Sequence, residues 1–211
     1  MKWQLIILSI LFLTSNLAFS EADLSAGKAS YGMCASCHGA DGAGNIAMNA
    51  PALNGQTAEY IARQLNNYKS GVRGGEAGDM YGAQMKGMAA ILTDVAVDNV
   101  SNYIASLPAT EVASIQEGDL YKGNNAYQGK CGACHGGKAQ GNELMNAPAL
   151  ANLDSAYITR QIANYKGGLR GSHPDDRSGK QMKMMANVIA NDEELTNIIA
   201  YIHSIHSIPA S

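Results

Sequence analysis

Apolar side chains fall at helical spacing in four stretches of this chain. Val97, Val100, Ile104 and Leu107 stand at i, i+3, i+7 and i+10 behind Thr93-Asp94, a pair suited to cap a helix N-terminus. Leu195, Ile198, Ile202 and Ile205 repeat that pattern behind Asn191-Asp192. Tyr60 to Lys69 and Tyr157 to Lys166 read as two further helices, each ended by a glycine, Gly71 or Gly168. No run alternates apolar with polar residues long enough to make a strand. The pattern predicts an all-α protein.

One apolar run has a different reading. Lys2 precedes an almost wholly apolar stretch from Leu5 to Leu13, and Ala18-Phe19-Ser20 is a small-x-small cleavage signature. The run is too short to span a bilayer, so residues 1–20 read as a signal peptide, with a retained anchor as the alternative. A signal peptide directs the chain out of the cytoplasm. The formal charge of the whole chain is −3, and that mild acidity argues against a nucleic-acid partner, which requires clustered positive charge.

The chain is one unit written twice. Ninety-seven residues separate Cys34 from Cys131, and His38 from His135. The same offset relates Met48-Asn-Ala-Pro-Ala-Leu53 to Met145-Asn-Ala-Pro-Ala-Leu150, and Tyr60-Ile61 to Tyr157-Ile158. It also relates Arg63-Gln64 to Arg160-Gln161, Asn67-Tyr-Lys69 to Asn164-Tyr-Lys166, and Gln84-Met-Lys86 to Gln181-Met-Lys183. Between Cys34 and Ala89 about half the positions are identical to their counterparts. At the margins the register slips: Gly27 and Tyr31 match Gly123 and Tyr127 at 96, and Tyr103-Ile104 match Tyr201-Ile202 at 98. Two domains are expected, at 21–108 and 118–211, joined by residues 109–117 after Pro108. Domains this small have thin cores and usually need a staple.

The staple is legible in the cysteines. All four lie in two units, Cys34-Ala-Ser-Cys37-His38 and Cys131-Gly-Ala-Cys134-His135. Cysteines three apart on a helical turn share a face, so both thiols reach the two vinyl groups of one porphyrin, and the histidine that follows lies under the iron. A bare C-x-x-C is also found in redox dithiols and in zinc sites. Here each unit has its own histidine and no further cysteine. Two covalent haem c groups are expected, with Cys34, Cys37, Cys131 and Cys134 attached and His38 and His135 as axial ligands.

The sixth ligand is sought by position. His173, His203 and His206 all lie in the second half without partners in the first, and surface or structural roles suit them better. Of ten methionines, three pairs survive the repeat: Met48/Met145, Met85/Met182 and Met88/Met185. Met48 and Met145 precede Pro51 and Pro148, in a loop placed for its carbonyl to bond the histidine's free ring nitrogen. Met88 and Met185 begin a more apolar stretch, where methionine usually packs. Met85 and Met182 follow glycine-containing loops and are the expected ligands, with Met88/Met185 as the second choice. The duplicated Arg73/Arg170, Tyr60/Tyr157 and Tyr68/Tyr165 suit either haem propionates or ordinary helix packing.

The paired C-x-x-C-H units, the Ala-Pro-Ala-Leu loops, the Tyr-Ile-x-Arg-Gln helices and the Gln-Met-Lys segments together resemble the cytochrome c4 family of diheme cytochromes. That resemblance covers nearly all of residues 21–206. It implies two all-helical class I cytochrome c domains related by a pseudo-twofold axis. It also implies a periplasmic, non-enzymatic carrier that takes electrons from one redox protein and passes them to another, towards a membrane-bound terminal oxidase. No small-molecule substrate is expected. Two rival functions stay open. One is the haem-bearing subunit of a larger dehydrogenase; the other is a diheme peroxidase, which needs an open iron position.

Overall fold

The computed structural model describes residues 22–110, 112 and 117–205; the expected signal peptide and His206 lie outside the described residues. The first half contains α1 (Leu24–His38), α2 (Ala58–Ser70), α3 (Met80–Ala90) and α4 (Asp94–Ala105). The second contains α5 (Leu120–Lys130), α6 (Gly132–His135), α7 (Ser155–Lys166), α8 (Arg177–Asn187) and α9 (Asp192–Ser204). Among the described residues there are no strands, only the isolated bridges Asn45–Ala50 and Asn142–Ala147. The described residues are all-α and form two similar helical domains in tandem.

Polar residues start the helices where their side chains can take up the free N–H groups of a first turn. Thr93 accepts from the Ala96 amide and Asn191 from the Glu194 amide. Thr57 and Asp154 cap α2 and α7 in the same way. The α2 helix stops where Gly71 turns left-handed at φ 78°, and α7 gives way to Gly168 at φ 83°. Leu107 and Ile205 lie just past the helices their spacing suggested, partly buried against the cores.

Two helices, α3 and α8, lie outside the four stretches marked by the sequence pattern, although Met85, Met88, Ala89 and Leu92, and likewise Met182, Met185, Ala186 and Ile189, fall at helical spacing. Asp79 and Asp176 cap them on Gly82 and Gly179. Met85 and Met182 therefore sit within helices, not at the ends of glycine-containing loops. The extra residue before Cys131 also has a structural counterpart: α1 runs unbroken through Cys34 and Cys37, whereas Cys131, at φ −119°, separates α5 from α6.

Each domain is closed by crossing its first and last helices. A methyl group on Gly27 would lie 2.2 Å from the Asn99 carbonyl oxygen of α4, and one on Gly123 would lie 2.0 Å from that of Asn197 on α9. Nothing larger than hydrogen fits, which lets the backbones touch. Tyr31 packs on Tyr103 at 5.4 Å between ring centres, and Tyr127 on Tyr201 at 5.6 Å. Beneath them Val97, Val100 and Ile104, or Leu195, Ile198 and Ile202, form the buried side. His203 is buried as well, 2% exposed, with Nε2 donating to the Leu153 carbonyl at 3.1 Å.

Two predictions follow from this packing. Gly27→Ala should destabilise the first domain by about 1–3 kcal/mol or more, because backbone stands in the way. Gly32→Ala, with nothing within 4 Å of the new methyl, should be neutral or stabilising. Denaturant unfolding of both variants checks the contrast. Burial holds His203 below the ordinary histidine pKa, against the opposing pull of its bond to Leu153. The unfolded chain then takes up a proton that the folded chain refuses, so stability should fall as pH drops below about 6.5. His203→Gln should flatten that part of the stability–pH curve; an unchanged slope would assign it to other groups.

Candidate haem centres

In each domain a helix and a loop meet at a buried histidine. The last two turns of α1 present Cys34, Cys37 and His38, and the corresponding residues of the second half are Cys131, Cys134 and His135. His38 and His135 are 5% and 7% exposed. His38 Nδ1 lies 2.8 Å from the Pro51 carbonyl oxygen, and His135 Nδ1 lies 2.9 Å from that of Pro148. A carbonyl only accepts, so Nδ1 carries the proton and Nε2 keeps its lone pair for a metal. Burial pushes both histidines below the usual pKa while the prolyl bond opposes it, and the rings stay neutral.

The loops that aim these carbonyls are tightly built. Asn45 and Ala50 exchange two backbone hydrogen bonds, at 2.8 and 3.1 Å, around the turn Ile46–Met48; Asn142 and Ala147 do so around Glu143–Met145. Asn49 and Asn146 complete the turns in the left-handed region, both at φ 54°. Asparagine tolerates that conformation better than most side chains.

A cavity opens beside each histidine, about 240 Å³ in the first domain and about 440 Å³ in the second. Both cysteines, the histidine and all three repeated methionines line the cavity of their own domain. Burial separates the methionines. Met48 and Met145 sit on the histidine's own loop and are half exposed, and Met88 and Met185 are 40% and 37% exposed. Met85 and Met182 are more buried than these, and Met182 packs against the second core.

None of the four cysteines forms a disulfide. Burial raises the Cys34 thiol and pushes Cys131 up to about 11. A redox dithiol needs the opposite, a depressed thiol pKa. Among the described residues no group of three or more His, Cys, Asp or Glu side chains is arranged to hold a metal ion directly. The Cys34 and Cys131 thiols therefore suit thioether bonds better than thiolate chemistry.

The two cavities share a wall. Tyr60, Gln64, Leu153, Tyr157 and Gln161 line both. Arg73, 7% exposed, donates to Gln64 at 2.8 Å and to Tyr157 and Gln161 at 3.2 Å each, with its guanidinium over the Tyr68 ring. Arg170 donates to Gln161 at 2.7 Å and lies over Tyr165. Burial alone would raise the Tyr157 hydroxyl, but Arg73 and Arg170 bring it below the ordinary tyrosine value. Tyr60, desolvated beside Tyr157, is pushed up to about 12. The Nε–H groups of Arg63, Arg73, Arg160 and Arg170 are buried with no partner in the described residues. Unpaired buried donors on cations fit a cofactor that brings carboxylates, and haem brings two.

Arg63 and Arg160 extend the contact between domains. Arg63 reaches Asn146 and Arg160 reaches Asn49, so the same pair of residues meets in both directions. Reciprocity of this kind is the signature of twofold symmetry. The periodicity of the sequence did not reveal these two arginines; their duplication, with that of the asparagines, was the available signal.

Two C-x-x-C-H helices, two cavities with apolar and thiol linings, and two buried neutral histidines define a tandem c-type cytochrome with two covalently bound haems. The sequence profile of cytochrome c matches residues 24–108 and again 120–206. Cytochrome c4 of Azotobacter vinelandii is 27% identical over 91% of this chain and 93% of its own length. The thiosulfate dehydrogenase electron acceptor of Stutzerimonas stutzeri is 29% identical over 80% of this chain and 76% of its own. The crystal structure of reduced recombinant cytochrome c4 from Pseudomonas stutzeri superimposes with a TM-score of 0.68 at 25% identity, covering 87% of this chain and 98% of that one. The chain belongs to the cytochrome c family, with the diheme arrangement of cytochrome c4, and it carries electrons.

Proposed function

We propose that this chain is a periplasmic carrier that takes electrons from one redox protein and delivers them towards a terminal oxidase, using both domains, residues 21–108 and 118–211, as one conducting unit. The observation that carries the reading is the wall shared by the two cavities. Two redox centres separated by one layer of side chains suit transfer through the molecule better than two independent errands.

When bound, each haem supplies a one-electron iron(III)/iron(II) couple. The chain's residues provide the rest. Cys34 and Cys37, and Cys131 and Cys134, hold the cofactor through thioether bonds. His38 and His135 would bind the iron through Nε2, with the prolyl bonds fixing tautomer and ring orientation. Met85 and Met182 would supply the second protein ligand, a thioether that would raise the reduction potential and leave no position for a small molecule. Arg73 and Arg170 meet the propionates between the domains. With both positions filled by protein, turnover of a bound substrate is not expected.

A second reading has specific support in the thiosulfate dehydrogenase electron acceptor, whose name describes a protein that receives electrons from a dehydrogenase. In that reading this chain is the electron-accepting module of such an enzyme. Stopped-flow reduction and oxidation against a purified dehydrogenase and a purified oxidase separates the two.

The ligand assignment makes a sharper prediction. The ferric protein should show the weak near-infrared band of sulfur-to-iron charge transfer from both sites, and the untreated reduced protein should not bind carbon monoxide rapidly. Met85→Ala and Met182→Ala should each remove one contribution to the band and lower one potential substantially, since axial ligands tune potential over roughly 0.8 V. Met88→Ala should leave the band intact and cost less than the roughly 2–5 kcal/mol of a buried methionine, because its side chain is exposed. Loss of the band in Met88→Ala, with its retention in Met85→Ala, would move the ligand one helical turn along α3.

A further inference from the structure

Each loop that supports a buried histidine is gripped from the opposite domain. Arg63, on α2, donates Nη1 to Asn146 Oδ1 at 2.9 Å and Nη2 to the Asn146 carbonyl at 2.7 Å. Arg160, on α7, makes the same fork on Asn49, at 3.1 and 2.8 Å. These asparagines are the left-handed residues that turn the loops, two positions before Pro148 and Pro51. The planar guanidinium engages a side-chain oxygen and a backbone oxygen together, which fixes direction as well as distance. Moving the turn moves the prolyl carbonyl that the histidine bonds.

The two grips are elaborated differently. Gln56 of the first domain, 5% exposed, also pairs with the second loop: its Nε2 donates to the Ala149 carbonyl at 2.8 Å, and its Oε1 accepts from the Ala149 amide at 3.1 Å. Its counterpart in the repeat is Leu153, whose side chain has no polar group to offer. On the other side, the Arg160 guanidinium stacks 4.8 Å from the Tyr81 ring of α3, where the second domain has Ser178. Arg160 thus touches both the histidine loop of the first domain and the helix that carries Met85.

We propose that Arg63 and Gln56 are positioning residues for the second haem and Arg160 for the first, so that the packing of the domains sets the hydrogen bond of each axial histidine. A stronger bond from the histidine N–H to its carbonyl makes the ring a better donor and stabilises the oxidised iron. Releasing a loop weakens that bond and raises the potential of the haem it serves, in the domain opposite the substitution. The inference rests on His38 and His135 being axial ligands.

The test uses the intact diheme protein, with domain-resolved potentials from redox titration followed by NMR. Arg63→Lys, which keeps the charge and loses the fork, and Gln56→Leu should each raise the potential of the second haem and leave the first nearly unchanged; Arg160→Lys should raise that of the first and leave the second nearly unchanged. Gln56→Leu places at this position the residue that the repeat already uses. Amide hydrogen exchange provides a readout independent of potential. Protection of the Asn142–Ala147 bonds should fall in Arg63→Lys, and that of the Asn45–Ala50 bonds in Arg160→Lys. Shifts confined to the haem of the substituted domain, equal shifts at both, or none at all would overturn the proposal. A wild-type protein lacking histidine ligation would instead overturn the ligand reading on which it stands, and the two failures are told apart before any variant is made.

Discussion

The hydrogen bond between a buried histidine and a prolyl carbonyl organises each half of this molecule. It is a bond between groups 13 residues apart, at 2.8 and 2.9 Å, that ties the end of a helix to a rigid turn. With it, one ring nitrogen is satisfied in a buried place where an unpaired one would be costly, and the other is left facing a cavity. The cavity is the second half of the same constraint. A domain of this size has too little apolar surface to fill its own centre, so the helices stand around a space that the covalent cofactor occupies. The glycine crossings of α1 on α4 and of α5 on α9 then hold the frame shut.

Between the domains the chemistry is polar. Arginines, tyrosines and glutamines meet there, and the buried guanidinium of Arg73 is offset by three acceptors and an aromatic face. Such groups are expensive to bury, and they contribute direction more than stability. The direction matters here, because one interface supplies both the wall between the cavities, through Tyr60, Gln64, Tyr157 and Gln161, and the contacts to the loops behind both histidines, through Arg63, Gln56 and Arg160. The domains are one device on that account: the interface that orients them also touches what tunes them.

Much of this was legible from residues alone. The duplicated C-x-x-C-H units located both centres, the Ala-Pro-Ala-Leu loops pointed to the carbonyl partner, and Thr93 and Asn191 marked two helix starts. In α3 and α8 the apolar spacing, Met85, Met88, Ala89 and Leu92 in one and Met182, Met185, Ala186 and Ile189 in the other, is diluted by glycine and lysine, and the glycine-bearing segment before each obscures its start. Their caps, Asp79 and Asp176, are identical across the repeat with Gly82 and Gly179 three residues on, and that spacing was the signal available. The grips of Arg63 and Arg160 were illegible for another reason. Hydrophobic periodicity reports the face a helix turns to its own core, and a polar contact between residues 83 or 111 apart leaves no trace in it. For Arg73 the sequence permitted either packing or propionate binding; the structure shows it buried, stacked and still holding an unpaired Nε–H, which accommodates both.

Whether the two haems act as one carrier is tested most directly by the rate at which an electron moves between them. One haem can be reduced by a light pulse in the diheme protein and its equilibration with the other followed spectroscopically over a range of protein concentrations. A rate independent of concentration is the predicted result, as transfer across the shared wall requires. A rate that rises in proportion to concentration would mean that the haems exchange electrons only when molecules collide, and would contradict the account.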